Sequence, residues 1–123
     1  MHPALKAYVR VASQSLGPRD LEAHLLTKSA SRLQAIRDDF AGKGGDLADA
    51  LLYNRKLWTV FVSAVADEKH GMPKQLRENI ANVGVFVFLR TAEITQSSEP
   101  QPSALAALID INRNIAAGLR GKA

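Results

Sequence analysis

The chain contains no cysteine. That excludes disulfides, thiol nucleophiles and thiolate metal sites together. Its three histidines, His2, His24 and His70, fall in separate segments and form no His-Glu-x-x-His pattern, so no metal and no cofactor is expected. The longest apolar run, Val83 to Leu89, is far shorter than the roughly 20 residues needed to span a bilayer. The start, Met1-His2-Pro3-Ala4-Leu5-Lys6, lacks the apolar stretch of a signal peptide, and position 2 is not the glycine that myristoylation requires. A cytoplasmic protein with no membrane association is expected. Blocks of like charge are missing as well. The net charge of +4 is spread as nine Lys/Arg against six Asp/Glu over residues 1–66 and seven against six over 67–123. So thin a balance gives solubility and only a poor footprint for binding nucleic acid.

Catalytic constellations are missing too. Gly42-Lys43-Gly44-Gly45 lacks the glycine spacing and the Ser/Thr after lysine that a phosphate loop needs. It reads as a connector between helices. Asp38-Asp39 and the Asp46/Asp49 pair read as helix-end charges, and there is no Gly-x-Ser-x-Gly elbow. The sequence therefore points to a binding protein and not an enzyme.

What is present is a 123-residue chain that is 46% hydrophobic, enough for one domain, residues 1–123, with a core of its own. Gly and Pro punctuation at 17–18, 42–45, 67–73 and 97–103 divides it into five segments. The expected fold is all-α: a single compact bundle of four long helices plus a short N-terminal helix over about Pro3 to Leu16. The long ones run from Pro18 to Ala41, from an Asp46 cap, from near Pro73 to Gln96, and from a Ser103 cap to just before Gly121. Trp58 to Val62 and Val83 to Leu89 are rich in β-formers, yet neither is bounded by turn residues, so both are read as buried helix. With apolar residues on every side, Val83–Leu89 predicts a central helix contacted from several directions.

Asparagine normally collects in turns and caps. Here all five, Asn54, Asn79, Asn82, Asn112 and Asn114, fall inside expected helices. At about 100° per residue, Asn54 lies mid-stripe among Leu47, Leu51, Trp58, Phe61 and Val65. Asn112 lies mid-stripe among Leu105, Leu108, Ile109, Ala116 and Leu119. Each is either part of a buried, register-setting network or part of a groove for another helix. Arg90 shares a face with Ile80, Val83 and Val87, Asn79 sits at its margin, and Asn82 and Asn114 point away. Trp58 is a core residue or an anchor for a partner. Tyr53, about 100° from Asn54, is free to face solvent or partner. Arg55 and Arg113 are solvated, paired with carboxylates, or in contact with a partner.

These stretches resemble the FlaF family of flagellar biosynthesis regulators. The resemblance lies in Leu51 to Thr59 (Leu-Leu-Tyr-Asn-Arg-Lys-Leu-Trp-Thr), Leu76 to Asn82, Phe86 to Phe88 with Arg90 to Ile94, and Leu108 to Leu119. Arg19 to Leu26 fits the same pattern, so the motifs cover nearly the whole chain in order. The resemblance implies a small cytoplasmic helical protein that promotes flagellin production, secretion and filament assembly. It implies flagellin as a partner, bound in the manner of a secretion chaperone. The repressor FlbT, which acts on flagellin messenger RNA, is the functional counterpart and a possible second partner. Direct action on that messenger RNA, or structural help to flagellar export, are the alternatives. Tyr53, Asn54, Arg55, Trp58, Asn79, Asn82, Arg90, Asn112, Arg113 and Asn114 are the candidate partner-binding residues.

Overall fold

In the computed structural model, residues 18–67 and 71–121 are described; the expected N-terminal helix lies outside them. Most of the described residues are helical, with no strand among them. Four long helices carry the fold: α1 (Pro18–Asp38), α3 (Leu47–Ala66), α4 (Lys74–Gln96) and α5 (Ala106–Leu119). A single helical turn, α2 (Phe40–Lys43), and a 3-10 turn (Gly44–Asp46) join α1 to α3, and a second 3-10 turn (Pro102–Leu105) leads into α5. Both β-former stretches are helical, because each continues a stripe that buries against a neighbour.

Helix boundaries follow local chemistry. Pro18 and Asp20 open α1, where proline loses no needed hydrogen bond and a carboxylate meets the positive helix end. The helix stops at Asp38, earlier than Ala41, because Asp39 leaves helical geometry and caps the next turn by accepting from Gly42 N at 3.2 Å. A Cβ on Gly42 would lie 2.6 Å from that carboxylate, so the cap needs glycine there. The glycine-rich connector is thus built as consecutive short helical turns. Asp46 precedes α3 but makes no capping bond: the 3-10 turn already holds it in helical geometry. Ser103 likewise lies inside a 3-10 turn and does not cap. Between α3 and α4, Arg19 donates to Gly71 O and Arg77 Nε donates to Met72 O at 3.2 Å, tying the connection to the start of α1.

α1 is the hub. It packs most extensively on α5 and also on α3 and the second 3-10 turn, with Ala23, Leu26, Ala30, Leu33 and Ile36 fully or almost fully buried. α4 lies on the other side of α3 and touches α5 only lightly. The Val83–Leu89 stretch is therefore peripheral, not central. Only Gly84 and Val87 of it are buried, while Val85, Phe86 and Leu89 are exposed. All-round apolarity here marks a helix with one face on the core and the other bare. Where α4 crosses α3 the α4 backbone lies close against α3 side chains: a Cβ on Gly84 would lie 2.7 Å from Val62 Cγ2.

Candidate partner-binding surface

Three of the candidate residues meet in the interior. Asn54, Trp58 and Asn112 are each 0% exposed. Trp58 Nε1 donates to Asn112 Oδ1 at 2.8 Å, Asn112 Nδ2 donates to Asn54 Oδ1 at 2.8 Å and to Leu26 O at 3.2 Å, and Ser29 Oγ donates to Asn54 Oδ1 at 2.8 Å. This knot joins α1, α3 and α5. Its polarity is fixed by chemistry. An indole N–H can only donate, so the Asn112 oxygen must face it and the Asn112 amino group must face Asn54. Asn54 then has to present its oxygen, which also receives the Ser29 hydroxyl. Asn54 Nδ2 is left without a hydrogen-bond partner, a cost of about 1–3 kcal/mol. Each apolar seam thus carries one amide whose hydrogen bonds form only in a single helix register.

The other candidates lie at the surface, but not together. Asn79 and Asn82 are exposed on α4, and Asn114 on α5. Arg113 Nη1 donates to Gln34 Oε1 at 2.7 Å in an exposed bond between α5 and α1. Tyr53 is half-buried against the core. Arg90 is half-buried, its guanidinium carbon 5.4 Å from the Phe86 ring centroid, within cation–π range. Arg55 is exposed on α3.

The structure adds a surface that the candidate residues only border. On α4, Val85 is 58%, Phe86 42% and Leu89 60% exposed. On the helical wheel Leu89 points about 170° and Val85 about 130° away from the mean direction of Ile80, Gly84, Val87 and Thr91. Beside them runs an open groove of about 840 Å³ between α3 and the C-terminal half of α4. Leu51, Leu52, Arg55 and Thr59 line one wall, and Phe88, Thr91, Ala92 and Ile94 the other. The signal for this surface was in the sequence: Val85 and Leu89 lie opposite the stripe that Ile80, Val87 and Ile94 define. Their hydrophobicity hid it.

The motif stretches serve both places. Leu51 to Thr59 sends Asn54 and Trp58 inward and Leu52, Arg55 and Thr59 to the groove, while Thr91, Ala92 and Ile94 form the opposite wall. A protein-family model described as flagellar protein FlaF matches residues 4–119. The chain belongs to the FlaF family. Comparison with curated proteins and with solved structures finds no match. The FlaF match takes in the interior knot, the exposed face of α4 and both groove walls. Among the described residues, no helix is long and apolar enough to cross a membrane.

Proposed function

We propose that this FlaF-family chain promotes flagellin synthesis, secretion and filament assembly by binding flagellin as a chaperone-like partner in the cytoplasm. Its flagellar role follows from family membership. The observation that carries the finer reading is the bare apolar face of α4, with Val85, Phe86 and Leu89 exposed beside an open groove. Isolated exposed apolar residues are ordinary; three large ones on two turns of one helix mark an interaction surface. Flagellin termini are amphipathic helices that are exposed before assembly, and an amphipathic helix laid on an apolar face is a recurrent mode of recognition. The chain acts by binding and not by catalysis. FlbT is its functional counterpart and a candidate second partner.

Direct action on flagellin messenger RNA is less well supported. Binding to a phosphate backbone draws on concentrated positive charge, and a net charge of +4 is scattered along this chain. The test is capture of purified flagellin by the purified protein at micromolar concentration. Saturable binding, weakened at least tenfold by Leu89→Asp in a variant with an unchanged helical spectrum, is the expected result. Flagellin that fails to bind at that concentration sinks the proposal, and a salt-sensitive shift of flagellin messenger RNA would put the second reading in its place.

A further inference from the structure

We infer that the groove between α3 and α4 seats one amphipathic helix of a protein partner, and that this helix places a carboxylate on Arg55. The inference rests on the proposed binding role only in taking the ligand to be a protein. The α3 wall from Leu47 to Thr59 extends about 18 Å at 1.5 Å per residue, roughly three helical turns. That is long enough for apolar anchors at i, i+3, i+4 and i+7. The walls are more apolar than their composition suggests. Thr59 Oγ1 donates to Arg55 O at 2.9 Å and Thr91 Oγ1 to Val87 O at 2.7 Å, so both hydroxyls are spent on their own helices.

Against those walls, Arg55 carries the one charge among the described residues that line the groove. Its guanidinium makes no hydrogen bond or ion pair with a described residue. Five donors on a planar fork suit a carboxylate held by two parallel bonds. A nucleic-acid backbone would need several cations in a row; a single cation between apolar walls selects an apolar helix with one acidic residue at its edge. Charge complementarity therefore fixes the chemistry of the occupant, and Leu52 and Ala92 on the rims extend its apolar contact.

The probe is a designed helical peptide of about 14 residues, long enough for four anchors at helical spacing. It carries leucine at those positions and one flanking glutamate, and is made alongside siblings with glutamine or lysine in place of the glutamate. Each is titrated into the full-length protein by fluorescence anisotropy. The glutamate peptide is expected to bind about two- to fivefold more tightly than the glutamine peptide, the range for a partly exposed ion pair, and the lysine peptide more weakly still. Arg55→Glu should reverse the order of the glutamate and lysine peptides, and Ala48→Trp, which fills the groove from an exposed position, should weaken all three at least tenfold. Circular dichroism checks that both variants keep their helix content. No saturable binding by any peptide at millimolar concentration overturns the inference, as does a rank order unchanged in Arg55→Glu or binding indifferent to Ala48→Trp. Flagellin separates the two proposals. If it binds equally well to wild type, Arg55→Glu and Ala48→Trp, the groove is not its seat, although the chaperone-like role stands. If the peptides behave as expected but flagellin does not bind, the groove stands and the flagellin reading falls.

Discussion

The two flanks of α3 are built on different principles. Toward α1 and α5 it presents Asn54 and Trp58, and the contact closes over four hydrogen bonds with defined donors and acceptors. Toward α4 it presents Val62, Leu51 and the rings of Trp58, with a glycine on the facing helix to let the two approach. The first contact tolerates one register because a one-residue rotation would strand buried amides. The second is apolar and shape-dependent, and α4 leaves its far face uncovered. One side of the molecule specifies the fold, and the other offers a surface.

Substitutions can break or sharpen that contrast, and the largest effects are expected at the knot. Trp58→Ala removes a fully buried ring and should cost about 3–5 kcal/mol in a urea titration. Asn112→Ala leaves the indole N–H without an acceptor and takes one of its two donors from Asn54 Oδ1, and should cost about 1–3 kcal/mol. A loss below about 1 kcal/mol, the net worth of an ordinary hydrogen bond, would mean that the knot does not set the register. Gly84→Ala tests the second contact. The added methyl meets Val62, a branched side chain that is stiff in a helix, and overpacking of about 1–3 kcal/mol is offset by about 1 kcal/mol of helix propensity. A net loss of about 0–2 kcal/mol is expected, and stabilisation would show that α4 can slide outward. Leu89→Ser should change stability by no more than about 0.5 kcal/mol, as for other surface positions, while weakening flagellin capture; a large loss of stability would mean that this face is covered within the chain. Arg113→Ala, which breaks an exposed bond to Gln34, should stay within about 0.5 kcal/mol and leave capture unchanged.

Much of this was legible in the residues, for identifiable reasons. Helical spacing put Asn54 and Asn112 at the centres of apolar stripes, and a buried amide in such a stripe requires a partner. The partners open to these two amides were each other and free carbonyls, and the structure uses both; the orientation imposed by Trp58 was not readable. It depends on α3 and α5 lying on the same flank of α1, and periodicity within one helix says nothing about its neighbours. Val85 and Leu89 misled for a related reason: hydrophobicity reports a tendency to be covered, not the identity of the cover. The groove was illegible because two helices make it. Arg55 was singled out from its motif, but its position on an apolar wall appears only once Phe88 and Ala92 face it. At the helix ends, Asp46 and Ser103 were read as caps because their residue types suit caps; the 3-10 turns there remove the need.

The interior knot also has a place in time. Ser29 and Asn54 are 25 residues apart, Trp58 and Asn112 54, and Leu26 and Asn112 86. A ribosome adding about 5–20 residues per second takes roughly 3–10 s to pass from Trp58 to Asn112. Throughout that interval the indole lacks its Asn112 acceptor and the apolar stripe of α1 has no α5 to cover it. The bundle is therefore sealed by the last long helix to be made. Because Trp58 is the chain's single tryptophan, its emission should report that sealing directly: red-shifted in a chain ending at residue 104, and blue-shifted when α5 is restored.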